Sequence, residues 1–114
     1  MMRDEVYARA LLMAGQPGAE QQAVLEVLCE AACSCLETSL RDGMTPEDCR
    51  EVFITGASLQ ALAALEEFAE TMEFRAGDLT VKKSARADRA RELRHQAETM
   101  MRPYLKDTFL FAGV

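Results

Sequence analysis

The sequence predicts an all-α fold: a four-helix bundle-like domain with a short extended (β-like) insert after the third helix and an extended C-terminal tail. Two observations lead to this fold class. Apolar residues recur at spacings of three and four through most of the chain, which is typical of amphipathic helices. Glycine and proline divide the periodic stretches into four segments. The 114 residues fit one domain, 1–114, in which short loops favour antiparallel packing of consecutive helices.

The first two helices are predicted over residues 3–14 and 20–40. In each, apolar side chains form one face and polar or charged side chains take the rest. The stretch 15–18 separates the two helices because it contains two glycines and a proline. Gly43 is expected to stop the second helix as the glycine that follows a helix end, a position that favours a positive φ.

The third helix is predicted over residues 46–73 and has a clear start signal. Thr45 can accept hydrogen bonds from free backbone N–H groups, and Pro46 suits the first helical position. Two carboxylates follow, which favour the positive end of a helix. Gly56 lies inside this helix, where glycine costs up to ~1 kcal/mol relative to alanine. It therefore indicates either a bend or a close helix crossing.

The chain changes character after the third helix. Residues 74–84 are predicted to form the extended insert, because Leu-Thr-Val-Lys at 79–82 alternates apolar and polar side chains and includes β-branched residues. A fourth helix follows from Ser84, with a narrow apolar seam. Pro103 should kink or end that helix by removing one backbone donor.

The C-terminal arm, residues 106–114, is too apolar to lie in water without a reason. Its Phe-Leu-Phe stretch at 109–111 is either an anchor that folds back on its own bundle or a segment that docks into a partner's groove. Both alternatives stay open from the sequence.

Charge is divided unevenly along the chain, whose net charge is −6. Residues 1–74 contain four basic and fourteen acidic residues, whereas residues 75–114 contain nine basic and five acidic ones. The simplest interpretation of the basic fourth helix is a solvated face. The alternatives are contacts between acidic and basic faces of separate copies, which the acidic total favours, or a face toward DNA phosphates. The predicted subunit or partner interface consists of Leu79, Val81, Lys82, Lys83, Arg86, Arg89, Phe109, Leu110 and Phe111.

We predict no catalytic, cofactor-binding or metal site, and therefore no enzyme. Cys29, Cys33, Cys35 and Cys49 lie in helical patterns without a C-x-x-C pair, so they are interpreted as buried thiols and not as disulfides or zinc ligands. The single histidine, His95, is interpreted as a surface residue. The sequence contains no phosphate-binding glycine loop.

No uninterrupted apolar run approaches the ~18–20 residues that cross a bilayer. The first five residues lack the pattern of a secretory signal. We therefore expect no membrane segment and a cytoplasmic location.

Five stretches, taken in order, resemble a known family. They are Thr45-Pro46-Glu47-Asp48-Cys49, the alanine-rich 57–65, the stretch 74–81, the stretch 93–105 and the ending 109–114. With these features the chain resembles the head–tail connector, or neck adaptor, proteins of tailed phages and prophages. The resemblance begins at about residue 45.

This resemblance implies a helical subunit that forms a homo-oligomeric ring between the portal and the tail. The genome would pass through the ring without sequence-specific binding, and the protein would be a virion component made in the bacterial host. The family has no catalytic residues. Its mobile insert and its C-terminal arm correspond here to 79–83 and 108–114.

Two other classes remain open from the sequence. The first is a small helical protein-binding or regulatory module, similar to an antitoxin, that docks through its apolar C-terminal tail. The second is a thiol or zinc protein. Oligomeric state separates the first class from a ring, and metal content decides the second.

Overall fold

Four α-helices make up most of the chain in the computed structural model. It describes the backbone of residues 2–15, 17–75 and 81–106, and within these ranges the side chains of all residues except 70–75 and 81–86. The helices are α1 (Met2–Ala14), α2 (Ala19–Ser39), α3 (Arg50–Arg75) and α4 (Val81–Met101). Short 3-10 turns occur at Pro46–Cys49 and Arg102–Tyr104. The all-α class is therefore confirmed.

The helix α3 is the centre of the fold and packs against each of the three other helices. Its residues Phe53, Ile54 and Ala57 are fully buried, at 0%, 1% and 0% exposure. The other helices cover them with buried side chains such as Val6 of α1 and Leu25 of α2. The hydrophobic core therefore follows α3.

The helical region begins at Pro46, the position that the sequence predicts. The Thr45 N–H donates to Asp48 Oδ2 at 2.8 Å, and the Thr45 hydroxyl donates to the same oxygen at 3.2 Å. The Asp48 N–H donates to the Thr45 carbonyl oxygen at 3.0 Å. This last bond spans three residues, so the first turn, Pro46–Cys49, is a 3-10 turn that leads into α3.

Gly56 lies at a close helix crossing, one of the two alternatives that the sequence left open. A Cβ atom at this position would lie 2.8 Å from Met101 Cγ and 3.1 Å from Met101 Sδ. Met101, the last residue of α4, is completely buried. The absence of a side chain at Gly56 therefore lets the end of α4 pack directly on α3.

The second helix ends earlier than predicted. It ends at Ser39, and Leu40 is extended, with φ −67° and ψ 151°. Gly43 adopts a positive φ of 82°, but in a turn that Met44 closes by donating its N–H to the Arg41 carbonyl oxygen at 3.0 Å. The prediction that Gly43 ends the helix was therefore wrong, because Leu40 leaves the helix to pair with another segment.

That partner is the segment that follows α4. Leu40 and Leu105 form an isolated antiparallel β-bridge, and both side chains are buried. The Lys106 N–H donates to the Ser39 carbonyl oxygen at 2.9 Å, and the Arg41 N–H donates to the Tyr104 carbonyl oxygen at 3.0 Å. The Arg41 side chain adds a bond from Nε to the Leu105 carbonyl oxygen at 3.0 Å. These contacts fix the chain after α4 to the end of α2.

The extended insert predicted over 74–84 is wrong at both ends. Phe74 and Arg75 belong to α3, and α4 begins at Val81 instead of Ser84. The lysines, alanine and arginine that follow Val81 are good helix formers, whereas a strand in this region would have no described partner. Residues 76–80, which include Leu79, and the tail residues 107–114 lie outside the described residues.

The expectation for Pro103 is confirmed. The helix α4 ends at Met101, and the next three residues form a 3-10 turn that includes Pro103. Because proline lacks an N–H group, it cannot continue the hydrogen-bond pattern of α4.

By length and composition, the helical stretch 46–69 could span a membrane. Its mean hydropathy is 1.2, and half of the scored window is buried inside the protein. The sequence-based expectation considered only uninterrupted apolar runs, and polar residues interrupt this stretch. A core helix of a soluble protein meets the same criterion, and this stretch supplies much of the core here.

Candidate functional site

A cleft of about 330 Å³ opens between the α1–α2 corner and α4. Its floor is the second half of α3, with Leu62 and Leu65. Met13 at the end of α1 and Leu93 of α4 also line it. The volume lies at the lower end of the ~300–1,000 Å³ range of ligand pockets.

The helix α1 is half as long as α3, so it can cover only part of that helix. The helix α1 has 13 residues and α3 has 26. Contacts of α1 with α3 include Arg9 with Thr55, at 2.9 Å, and the Val6 carbonyl oxygen, which accepts from the Ser58 hydroxyl at 3.2 Å. Gly15 then ends α1 with a φ of 72°, its N–H donating to the Leu11 carbonyl oxygen at 3.2 Å. Beyond this point α1 no longer covers α3.

Exposed apolar side chains lie at and near the cleft. Met13 is 41% exposed, and the preceding Leu12 is 83% exposed. Phe68 is 44% exposed and lies one helical turn after the cleft residue Leu65. Single exposed apolar residues are common on proteins, but a group of them beside a cleft is typical of an interaction surface.

The polar rim of the cleft is an ion pair within the chain. Arg89 Nε of α4 lies 3.9 Å from Glu66 Oε1 of α3, and both residues line the cleft. Nearby, Arg94 pairs with Glu67 at 2.5 Å, with both side chains about half exposed. Exposed pairs of this kind contribute roughly 0–1 kcal/mol. Part of the basic face of α4 therefore pairs with acidic residues of its own chain. From the sequence, this face was expected to be solvated, to contact acidic faces of other copies or to face DNA phosphates.

The basic residues of α1 and of the start of α3 each connect two helices. Arg3 of α1 donates to the Glu30 carbonyl oxygen of α2 at 2.9 Å and pairs with Glu37 at 3.2 Å. At the start of α3, Arg50 binds both carboxylate oxygens of Glu5 in α1. These hydrogen bonds raise the pKa of the Arg50 guanidinium above its usual value. The few cations in this acidic half are thus used to hold helices together.

Three of the four cysteines are buried free thiols, and the fourth, Cys35, is exposed. Burial raises the pKa of Cys29 to about 12, with smaller contributions from Cys33 and Glu26. Burial also raises the pKa of Cys33 and of Cys49. These three thiols are therefore protonated at neutral pH, which lowers their reactivity as nucleophiles.

The prediction of four buried thiols was wrong for Cys35. It follows Cys33 by two helical positions, which places it on the opposite face of α2. Among the residues that the structure describes, no group of three or more histidine, cysteine, aspartate or glutamate side chains could hold a metal ion.

The structure brings one residue of the predicted interface, Arg89, to the cleft. Four others lie in the first two turns of α4, where only the backbone is described: Val81, Lys82, Lys83 and Arg86. The remaining four lie outside the described residues: Leu79, Phe109, Leu110 and Phe111. The sequence pattern did not indicate that Met13, Leu62, Leu65 and Leu93 belong to a shared site. The predicted first helix is much shorter than the predicted third helix. This difference could have indicated that the first helix leaves part of the third helix uncovered.

Comparisons of the chain with protein-family models, with curated proteins and with solved structures give no match. The resemblance to phage neck adaptors stays a prediction from the residues quoted above.

Proposed function

We propose that this protein is a structural assembly subunit, and specifically a phage or prophage head–tail connector that forms a ring between portal and tail. The observation that carries the proposal is the cleft beside α3, with exposed Met13 in its lining and exposed Phe68 nearby. The same chain carries the apolar stretch 109–111. A subunit that presents both a cleft and an apolar segment can bind its neighbours without performing chemistry.

Ring formation requires two different surfaces that meet on adjacent copies. The cleft is one candidate surface. The connection between α3 and α4 is a second, and we propose that Leu79 in this connection and Lys82 and Lys83 at the start of α4 contact a neighbouring subunit or the portal. The net charge of −6 gives no basis for tight binding of DNA phosphates, so DNA would pass through the ring without being read.

The proposal also covers where the protein is located and whether it needs a cofactor or a membrane. The protein would be made in the cytoplasm of a bacterial host and would become part of the virion. It would act without a cofactor and without entering the membrane, and the buried half of the 46–69 stretch supports a role as a core helix.

The test is the size and shape of the purified protein across a wide concentration range. We expect light scattering after size exclusion to show a species of many copies, and electron microscopy to show closed rings. A monomer at the highest attainable concentration would contradict the proposal. A stable dimer would instead favour the small protein-binding or regulatory module.

A further inference from the structure

We propose that the helix α1 of one copy binds the groove between α2 and α3 of a second copy, in place of that copy's own α1. This groove is the one that α1 occupies within its own chain in the structure. The inference rests on the proposed function, because an exchanged helix would join neighbouring copies of an assembly. The contact is separate from the cleft.

The contacts within one chain show how well α1 fits this groove. Val6 and Ala10 of α1 are fully buried and belong to the same hydrophobic core as Leu25 of α2 and Phe53 of α3. The hydroxyl of Ser58 in α3 donates to the Val6 carbonyl oxygen at 3.2 Å. Because every copy has the same groove, a second copy offers α1 the same fit.

Charge complementarity fixes the register of this contact. Three ion pairs along α1 each join it to another part of the chain: Arg3 with Glu37 of α2, Glu5 with Arg50 at the start of α3, and Arg9 with Glu51 of α3. Positive and negative side chains alternate along α1, so a shift of the helix would place like charges together. These side chains are 36–75% exposed, so the pairs can open and close in contact with water.

The attachment of α1 can open without unfolding the rest of the bundle. Of its 13 residues, Val6 and Ala10 are the two that are buried. In the connection to α2, a Cβ atom at Gly15 or Gly18 would have no atom of the surrounding structure within 4 Å. Gly15 can leave its φ of 72° without strain, because glycine adopts both signs of φ. The two glycines can therefore change conformation without displacing packed side chains.

Exposed apolar side chains lie next to this connection. Leu12 is 83% exposed and Met13 is 41% exposed, and both lie in the last turn of α1, just before Gly15. When α1 passes to a second copy, this last turn lies where the two copies meet. The exchange would therefore cover apolar surface that a single chain leaves in water, which favours the joined copies.

The connection is long enough for α1 to reach a copy that lies beside its own. Four extended residues, 15–18, span at most about 14 Å, whereas packed helices lie about 8–10 Å apart. In the proposed ring, each copy would give α1 to one neighbour and receive α1 from the other. This contact is heterologous, and it closes into a ring when the rotation between copies allows.

Reversing the charges of one ion pair tests the exchange. Glu5→Arg and Arg50→Glu each place like charges between α1 and α3 of the same chain. Within one variant this repulsion is the same whether α1 is kept or exchanged, so neither variant alone should assemble better than the unchanged protein. When the two variants are refolded together from urea, exchange between unlike chains restores opposite charges in both contacts. Mixed assemblies should therefore form at a concentration at least about tenfold lower than assemblies of either variant alone.

The matched control mixes Arg94→Glu with Glu67→Arg. This pair joins α4 to α3, and its side chains are 45% and 51% exposed, close to 41% and 40% for Arg50 and Glu5. Because the proposal keeps α4 in its own chain, mixing should bring no gain. The double variant Glu5→Arg with Arg50→Glu restores the pair within one chain and should assemble like the unchanged protein. Native mass spectrometry counts the chains of each kind, and circular dichroism shows whether each variant is folded.

Two outcomes would overturn the inference. The first is a mixture of Glu5→Arg and Arg50→Glu that forms no mixed assemblies although both chains are folded. The second is an equal gain in the control mixture, which would show a charge effect unrelated to α1. Either result leaves the proposed function standing if the unchanged protein assembles, whereas an unchanged protein that is monomeric at every concentration removes the proposed function itself.

Discussion

The two ends of the helical bundle are held together in different ways. At the closed end, which comprises residues 39–56 and 101–106, backbone hydrogen bonds join Ser39 and Arg41 to the segment after α4, and buried Met101 packs on Gly56. At the open end, which comprises residues 12–21, 59–69 and 89–96, a cleft lies beside two ion pairs between α3 and α4. The comparison indicates that stability is concentrated at the closed end, and that the open end leaves apolar surface for binding.

The sharpest test of this comparison truncates one methionine at each end. Met101→Ala should lower the free energy of unfolding by about 2–5 kcal/mol, because it removes a fully buried side chain and leaves a cavity. Met13→Ala should cost less than about 1 kcal/mol, because Met13 is 41% exposed. Urea unfolding measures both, and equal losses would contradict the comparison.

A second test fills the gap at the helix crossing. Gly56→Leu should lower the free energy of unfolding by about 1–3 kcal/mol, since even a Cβ atom there would lie 2.8 Å from Met101 Cγ. The control is Gly18→Ala, which should change it little because no atom lies within 4 Å of the added Cβ. The double variant Gly56→Leu with Met101→Ala should lower the free energy of unfolding by less than the sum of the two single effects. A double-mutant cycle measures this difference.

Cys29 lies in the core and supplies a pH-dependent test. Its thiol has a pKa of about 12 in the folded chain against an ordinary value of 9.0, so the folded state holds the proton more tightly. The contribution to stability is therefore complete below about pH 9 and is lost as the pH rises from 9 toward 12, by up to about 1.4 kcal/mol per unit. The difference between the unchanged protein and Cys29→Ala in urea unfolding at pH 7 to 10 isolates this effect. No pH dependence of that difference would contradict burial of the thiol.

Thiol reactivity gives a related readout of the same core. With three cysteines buried and Cys35 exposed, one thiol should react quickly with an aromatic disulfide reagent in the folded protein. The rapid phase should disappear in Cys35→Ser, and all remaining thiols should react in denaturant.

The smallest expected effect concerns the ion pairs of the open end. Arg94→Glu should lower the free energy of unfolding by at most about 1 kcal/mol, because Arg94 and its partner Glu67 are 45% and 51% exposed. Adding Glu67→Arg should restore most of the loss, and high salt should reduce the difference. A loss as large as that of Met101→Ala would show that the open end carries more stability than we infer.

Local patterns predicted much of the fold. The apolar spacing located the helices, Thr45 and Asp48 form the expected start of the third helix region, and Pro103 follows the end of α4. These features depend on neighbours in sequence, so the sequence is sufficient to predict them. The end of α2 was predicted incorrectly because Leu40 pairs with Leu105, a contact between distant residues.

The cleft could not be predicted from local patterns, because it depends on tertiary packing even more than the end of α2 does. Met13, Leu62 and Leu93 come from three helices, and each follows a core-like spacing in its own helix. Only the packing of the short α1 on the long α3 leaves them on a shared, partly open surface. The exposure of Cys35 was predictable in part, because it lies two helical positions after Cys33 and therefore on the other face of α2. Its apolar neighbours in the sequence nevertheless suggested burial.

The bridge between Leu40 and Leu105 determines how the protein would respond to mechanical load. A force applied to the tail would reach the Lys106–Ser39 hydrogen bond first and then the Arg41–Tyr104 bond, before any pull is exerted on α4. These bonds would open one after another, as in the unzipping of a hairpin, and not together. Because Leu40 and Leu105 belong to the hydrophobic core, opening the bridge would expose core side chains and so transmit the load to the core.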